Sequence, residues 1–382
     1  MQSRLMNKKY EIIDRILEIE VYLYILFMFL TKGEAVRNVL LYSGFFLWLA
    51  GLKYRNDNRL VTKPVPLLFW GFISTILISV VFSIDPLYSL KALKEDALKA
   101  VVIFCLVSTV LSDEKRLRRL CRLSFFILIF TISVGYYSYI VYDLPLMKPV
   151  TTLRHSWHAQ FAVDLNTLLS FTFVLFLISR DTRFKILLAI AIIAGITGVI
   201  LSTSRGGIAG SVGIASVWMI YFLKTKKINF KLVAVAASVV VVFFSVSLFM
   251  SPLMKDKFIY DKKNIMSFNE RTDIWKPLIA AALERPVFGW GYGPKIFTMD
   301  QPFVNTSYKA SPFNIKPAFG NPHNPFLRVL FHQGVLGLIS YCALLIAATG
   351  LFWKGMEKFP LPRRFGERVR VRGILDSNFK SY

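Results

Sequence analysis

Long apolar stretches alternate with short polar ones along most of this chain. A helix needs about 20 mostly apolar residues to cross a bilayer, and windows of that kind recur ten times. The predicted spans are residues 16–30, 38–52, 65–83, 98–111, 120–142, 160–179, 186–202, 206–223, 232–250 and 335–353. Only a few residues separate the seventh span from the eighth, so these two are predicted to form an antiparallel pair. The pattern predicts an all-α, polytopic membrane bundle with about ten spans.

Composition supports the same class of protein. Apolar residues, counted as AVILMFWYC, make up 55% of the 382 residues, and charged residues make up only 18%. A soluble protein of this length has too little interior to hide so much apolar surface from water. The three cysteines lie in or beside apolar segments and indicate no disulfide framework.

The basic residues predict which side of the membrane each loop faces. There are 47 Lys and Arg residues against 23 Asp and Glu, for a net charge of +24. More than half of the basic residues lie before the first span, after the even-numbered spans, or in the tail. Short cytoplasmic loops are the ones enriched in Lys and Arg, so both termini are predicted to be cytoplasmic. Topology therefore accounts for the charge better than binding to nucleic acid does.

One outer loop is too long to be a simple connector. The predicted parts of the chain are a membrane bundle at 1–250 with spans one to nine, an outer loop at 251–325, a last membrane helix at 326–353 and a basic tail at 354–382. Within the loop, residues 267–270 have the spacing of a capping box, and apolar residues then recur at helical intervals. Because Pro277 interrupts this pattern, the helix is expected to begin near Thr272 or to be kinked.

Polar groups with chemical potential gather on the predicted outer side. Arg205 lies at the mouth of two helices and is followed by two glycines, Arg271 lies at the start of the loop helix, and His323 and Asn324 lie between two prolines. Each has a structural alternative. Arg205 is also consistent with a snorkelling side chain at a helix end, Arg271 with a solvated ion pair, and Asn324 with a helix N-cap.

A second outer group contains Arg154, His155 and His158, between the fifth and sixth spans. These residues are candidates for substrate contacts, or they are interfacial residues of a loop. Neither their spacing nor that of the other histidines matches a metal site, and no phosphate-binding loop is present, so neither a metal nor ATP hydrolysis is expected. The Gly-Trp-Gly-Tyr-Gly sequence at 289–293 lacks the strand–turn–helix context of a dinucleotide fingerprint and predicts a tight turn.

Two arginines and a histidine on one face suit glycosyl transfer from a lipid-linked sugar diphosphate. The diphosphate is a weak base and leaves without a general acid, provided that positive charge stabilises it. Arginine matches phosphate oxygens through two parallel hydrogen bonds. The attacking sugar hydroxyl must lose a proton, and histidine is suited to accept it near neutral pH.

These residues resemble the O-antigen ligase and polymerase family of bacterial inner-membrane proteins. The matching features are Thr203-Ser-Arg-Gly, Arg271 in a large outer loop, the Gly-Trp-Gly-Tyr-Gly sequence, and His323-Asn followed by Gly334 and Gly337. The resemblance implies a membrane glycosyltransferase architecture of the GT-C-like kind. It implies that His323 activates the acceptor hydroxyl and that Arg205 and Arg271 hold the donor diphosphate, without a metal or other cofactor.

Within that family the chain is more similar to the ligases. The implied reaction transfers O-polysaccharide from undecaprenyl diphosphate to a lipid A-core sugar hydroxyl at the periplasmic face of the inner membrane. A polymerase that extends the glycan on the same lipid carrier is the alternative. A transporter is a weaker one, because Asp164 is nearly the only charge inside a confident span after the first. Family members usually have about twelve spans, whereas residues 354–382 are too polar to cross a membrane.

Overall fold

A computed structural model describes residues 2–29, 33–52, 63–142, 158–202, 204–224, 271–297 and 322–358. The helices within these ranges are α1 (Gln2–Met28), α2 (Glu34–Leu52), α3 (Pro64–Val81), α4 (Pro86–Ala92), a π-helical turn (Leu93–Ala97), α5 (Leu98–Val110), α6 (Glu114–Tyr142), α7 (His158–Ile178), α8 (Thr182–Leu201), α9 (Arg205–Lys224), α10 (Arg271–Glu284), a 3₁₀ turn (Pro294–Phe297) and α11 (Pro325–Lys358). The described residues contain no strand, which confirms the all-α membrane fold.

Six of the described helices are long and apolar enough to cross a membrane. They are α2, α3, α6, α7, α8 and α11, and they match six of the ten predicted spans. Three more predicted spans also form helices, in α1, α5 and α9. The ninth predicted span, most of the predicted outer loop and most of the basic tail lie outside the described residues.

Local sequence explains where several helices begin. Asp85 caps α4 by accepting a hydrogen bond from the Tyr88 amide (2.9 Å), and Pro86 occupies the first helical position. Asp181 caps α8 through the Arg183 amide (3.0 Å). Both carboxylates satisfy amide groups that have no partner within the first helical turn.

Three apolar clusters hold the helices together. The first joins α1, α2 and α5, and the second joins α6, α7 and α8 with part of α9. The third is smaller and joins α10, the segment after it and α11 to residues at the start of α4. Ion pairs add to the contact between α1 and α6, where Glu18 accepts a hydrogen bond from Arg119 (2.6 Å) and lies 3.4 Å from Arg116.

Helix α11 packs antiparallel to α3. The Thr75 hydroxyl donates a hydrogen bond to the Gln333 side chain (3.0 Å), and further along the pair the rings of Phe72 and Tyr341 lie 5.6 Å apart. The C-terminal end of α3 and the N-terminal end of α11 therefore lie at the same end of the bundle. His323 immediately precedes α11, so the bundle positions it at that end.

Candidate functional site

His323 lies in an exposed turn with an unusual backbone conformation. It is the only described residue other than glycine with a positive φ, at 51°. This left-handed region is sparsely populated by residues with a side chain, although histidine, asparagine and aspartate enter it more often than most. A conformation of that kind persists only where neighbouring contacts impose it.

Contacts on both sides impose this conformation. The Trp275 indole N–H donates a hydrogen bond to the carbonyl oxygen of Pro322, the residue before His323 (2.8 Å). On the other side, the Asn324 side-chain oxygen accepts hydrogen bonds from the amides of Phe326 (3.0 Å) and Leu327 (3.3 Å). The structure therefore realises the predicted N-cap at Asn324. His323 therefore lies between two anchored residues.

Helix α10 contributes Trp275 to the His323 turn. Helix α10 is described from Arg271 to Glu284 and continues through Pro277 as a single helix. Of the two expectations, a start near Thr272 or a kink at Pro277, the described residues fit the first. Positions four apart share a helix face, which places position 271 one turn before Trp275 on the face that meets the His323 turn. The predicted capping residues 267–270 lie outside the described residues.

The segment after α10 docks on α11 through backbone hydrogen bonds. We call residues 286–293 together with residues 331–335 the glycine clasp. Its backbone bonds run from the Trp290 amide to Phe331 O (2.9 Å), from the Gly291 amide to His332 O (3.2 Å) and from the Val335 amide to Pro286 O (2.7 Å). The predicted tight turn at 289–293 is therefore part of a larger interlocked contact.

Glycine is required at two positions of the clasp. Gly334 breaks α11 with φ 65° and ψ −162°, and an added methyl group would overlap the Val287 carbonyl. Gly289 has φ 71°, and a methyl group there would overlap the backbone of His332. Only glycine combines these conformations with such close backbone approach. The break at Gly334 separates the short N-terminal part of α11, which follows His323, from its long membrane part.

Hydrogen bonds join the glycine clasp to α3 and to the residues that follow it. The Ser79 hydroxyl donates a hydrogen bond to His332 O, and the Ile84 amide donates to Trp290 O (3.3 Å). The buried His332 ring contributes a further contact, because its Nδ1 lies 2.6 Å from Gly291 O. Burial and, after it, the nearby Asp96 carboxylate raise the pKa of Tyr292, while Arg328 acts in the opposite direction without cancelling the shift, so this phenol stays neutral in the clasp.

Arg205 is the first residue of α9 and is half-buried. The Ser204 hydroxyl caps the helix by accepting a hydrogen bond from the Gly207 amide (3.1 Å). The positive end of the α9 helix dipole therefore lies at the residue that carries the guanidinium group. Both the helix dipole and the guanidinium group attract an anion. An added methyl group at Gly207 would overlap Ala162 of α7, which shows how closely these two helices approach.

Helices α7 and α9 run parallel with a constant register. Asn166 contacts Ser211, and the ring of Phe173 lies 5.0 Å from that of Trp218, so residues 45 apart lie side by side. His158 begins α7 and therefore lies at the same end of this helix pair as Arg205. Arg154 and His155 lie outside the described residues.

The structure thus groups the predicted site residues in two regions. Helices α10 and α11 join Trp275 to the His323 turn, with position 271 one helical turn before Trp275. Helices α7 and α9 begin at His158 and Arg205, which lie at the same end of that helix pair. Within the described ranges, no group of three His, Cys, Asp or Glu side chains is placed to hold a metal ion. Three residues for which the sequence predicts no role also contact these regions: Trp275, His332 and Asn166.

Comparison with known families finds a match over part of the chain. A family model described as O-antigen ligase matches residues 189–342. These residues are similar to the O-antigen ligase family. The resemblance inferred from the sequence is confirmed over this range, which contains Arg205, Arg271, the glycine clasp and His323. The O-antigen ligase family covers ligases and polymerases, and its members act on lipid-linked glycans.

A bacterial protein is also similar to this chain. An uncharacterized protein of Haemophilus influenzae is 25% identical over 240 residues, which cover 60% of this chain. The match spans 58% of that relative's own length. No solved structure matches the chain. The segment that matches the family model joins α8 and α9, which position Arg205, to α10 and α11, which position His323.

Proposed function

We propose that this protein is an O-antigen ligase that transfers O-polysaccharide from undecaprenyl diphosphate to a sugar hydroxyl of lipid A-core. The observation that carries the proposal is the His323 turn, which holds an exposed imidazole in a left-handed backbone conformation between two anchored residues. Enzymes hold reacting groups in productive geometry at such a backbone cost. The turn lies within the segment that matches the O-antigen ligase family.

His323 is proposed to be the catalytic base. The acceptor hydroxyl attacks the anomeric carbon of the donor sugar, and its proton passes to the imidazole as the new C–O bond forms. The bond between that carbon and the phosphate oxygen breaks, and its electron pair leaves with the undecaprenyl diphosphate. The imidazolium then releases the proton to solvent, so the enzyme returns to its starting state.

Arg205 and Arg271 are proposed to hold the donor diphosphate. Negative charge builds on the diphosphate as it leaves, and guanidinium groups stabilise that charge through paired hydrogen bonds. The position of Arg205 at the start of α9 adds the amide groups of a helix N-terminus to the same role. His158, Arg154, His155 and Asn324 are proposed as additional substrate contacts, with Asn324 also serving as the cap described above.

The membrane orientation follows from the alternation of helices. The predicted spans place the C-terminal end of α3 and the N-terminal ends of α7, α9 and α11 on one side, and the basic loops on the other. By the positive-inside rule, we propose that the first side faces the periplasm of a bacterial inner membrane. Undecaprenyl diphosphate donors on that side carry their own leaving group, which makes the proposed reaction independent of ATP.

Reconstitution in lipid vesicles tests this function. We expect the protein to join undecaprenyl-diphosphate-linked glycan to purified lipid A-core, with product formation unchanged by a chelator. His323→Asn is expected to abolish product, because asparagine tolerates positive φ but does not act as a base. Normal product with His323→Asn would refute the proposed base. No product with the unaltered protein would refute the proposed reaction.

Gene deletion in the host separates ligase from polymerase. Both activities use the same donor and the same base, and they differ only in the acceptor. Loss of all O-antigen from lipopolysaccharide, with long glycans left on the lipid carrier, is the result expected for a ligase. Lipopolysaccharide that carries single repeat units would show instead that the protein is a polymerase.

A further inference from the structure

Asn166 is a buried amide within an otherwise apolar membrane helix. Its residue is 8% exposed, and it lies in α7, one of the helices apolar enough to cross the bilayer. A polar side chain at such a position costs free energy unless it is hydrogen-bonded, because lipid offers no partner. An amide there therefore calls for a specific partner in the fold.

Both ends of the Asn166 amide are bonded to α9. Its Nδ2 donates a hydrogen bond to the carbonyl oxygen of Gly207 (2.8 Å), and its Oδ1 accepts one from the Ser211 hydroxyl (2.5 Å). These partners lie one turn apart on the same helix. Two bonds at different heights fix both the rotation of α9 about its axis and its position along that axis.

Two glycines of α9 make these hydrogen bonds possible. A methyl group added to Gly207 would overlap Ala162, and one added to Gly210 would lie 3.1 Å from Asn166 Nδ2. The absence of side chains at both glycines lets the backbone of α9 come within hydrogen-bonding distance of a short amide. Arg205 is only two residues before Gly207, so the contact fixes the turn of helix that bears this arginine.

We infer that Asn166 is a positioning residue for Arg205, setting the height and rotation at which α9 presents the guanidinium group to a diphosphate. The inference rests on the proposed function, in which Arg205 holds the donor. Asn166 does not itself touch substrate in this account; it acts through the first turn of α9. Interhelical hydrogen bonds of this kind contribute only modestly to the stability of membrane proteins. We therefore expect loss of these bonds to lower activity more than stability.

Matched variants separate positioning from stability. Asn166→Ala removes both bonds to α9, and Ser211→Ala removes one of them. Thr172→Val is the control, because Thr172 is also fully buried in α7 but its hydroxyl bonds to Leu168 O of its own helix. We expect all three proteins to insert and to unfold at similar temperatures in detergent.

The first measurement is steady-state transfer from undecaprenyl diphosphate carrying one O-antigen repeat to lipid A-core. Misplacement of a binding group by about 1 Å costs up to about a hundredfold in rate. We expect Asn166→Ala to lower kcat/KM for the donor about tenfold, Ser211→Ala to lower it less, and Thr172→Val to leave it unchanged. The KM for the acceptor is expected to stay constant, a pattern that general loosening of the fold would not give.

A double-mutant comparison tests whether Asn166 acts through Arg205. Arg205→Lys replaces the planar guanidinium with a point charge that forms no paired bonds to phosphate. In the Arg205→Lys background, we expect Asn166→Ala to lower donor kcat/KM by a much smaller factor than it does in the otherwise unaltered protein. An equal cost in both backgrounds, or an unchanged kcat/KM for Asn166→Ala, would overturn the inference.

The outcomes also distinguish this inference from the proposed function. If Arg205→Lys lowers donor kcat/KM but Asn166→Ala does not, the positioning role is wrong and the proposed function stands. If Asn166→Ala lowers it but Arg205→Lys does not, Asn166 acts through another group and the positioning role is again wrong. If neither variant changes it, both the positioning role and the proposed role of Arg205 fail.

Discussion

The two regions that carry the candidate site are held in place by different means. Arg205 begins α9, which packs directly on α7. Its position is set by the hydrogen bond from Asn166 to Gly207 and by the close approach of Gly207 to Ala162. His323 lies in a turn that is held by segments far apart in the sequence, through Trp275 and the glycine clasp. The first arrangement depends on small residues between helices, whereas the second depends on backbone conformations that only particular residues adopt.

The difference predicts how each region responds to substitution. A misfit between packed helices is relieved by a small shift along or between them. A misfit in the glycine clasp meets backbone atoms on both sides and has no such relief. We therefore expect changes in the clasp to be more damaging than comparable changes between α7 and α9.

The largest effect is expected for Gly334→Ala. The residue has φ 65° and ψ −162°, a region that is essentially restricted to glycine, and the new methyl group would overlap the Val287 carbonyl. We expect a loss of about 3 kcal/mol in the free energy of unfolding and loss of transfer activity. Unfolding in detergent and the vesicle assay measure the two effects.

Gly350→Ala is the matched control for that variant. Gly350 lies in the same helix, and a methyl group there would meet nothing within 4 Å. Since alanine favours a helix more than glycine does, we expect no loss of stability. A similar loss in both variants would mean that the clasp is not specifically sensitive.

A smaller effect is expected for Gly207→Ala. The added methyl group would overlap the Ala162 side chain rather than backbone, so the two helices have to separate slightly. Overpacking of this kind costs about 1 to 2 kcal/mol. Because the shift also moves Arg205, we expect donor kcat/KM to fall more than stability. Gly213→Ala, at a position with open space around it, serves as the control; equal effects at 207 and 213 would contradict the close contact.

The smallest effect is expected for Trp275→Phe. Phenylalanine keeps most of the apolar contact but has no N–H group to donate to Pro322 O. One such hydrogen bond contributes about 1 kcal/mol, so we expect kcat to fall up to about tenfold with little change in unfolding temperature. An unchanged kcat would show that the His323 turn keeps its geometry without this anchor.

Sequence patterns predicted the helices well and the turn less completely. Apolar periodicity indicated nine of the described helical segments, since a membrane span is a local property of about 20 residues. The cap at Asn324 was also predictable, because asparagine followed by proline favours a helix start. The break at Gly334 was not, because the apolar pattern continues across it while the conformation depends on the carbonyl groups of residues 286 and 287.

The roles of Trp275 and Asn166 show the same limit. Trp275 fits the apolar face of a helix, and nothing local indicates that its indole bonds to a carbonyl 47 residues away. Asn166 indicates only that a polar partner exists, because its partner 41 residues later is identified by the packing of α9 on α7. Long-range contacts of this kind are set by tertiary structure, which periodicity does not encode.

Arg205 and His323 are proposed to act at one transfer site, Arg205 on the donor diphosphate and His323 on the acceptor hydroxyl. Thiol cross-linking between Arg205→Cys and His323→Cys tests this proposal most directly, in protein from which Cys105, Cys121 and Cys342 have been removed. With a reagent whose reach matches a sugar diphosphate, we predict linked peptides between positions 205 and 323. The control pairs Arg205→Cys with Asp113→Cys, which lies between α5 and α6 at the predicted opposite end of the bundle, and we predict no link between these two positions. Efficient labelling of both cysteines without any link between 205 and 323 would contradict the account.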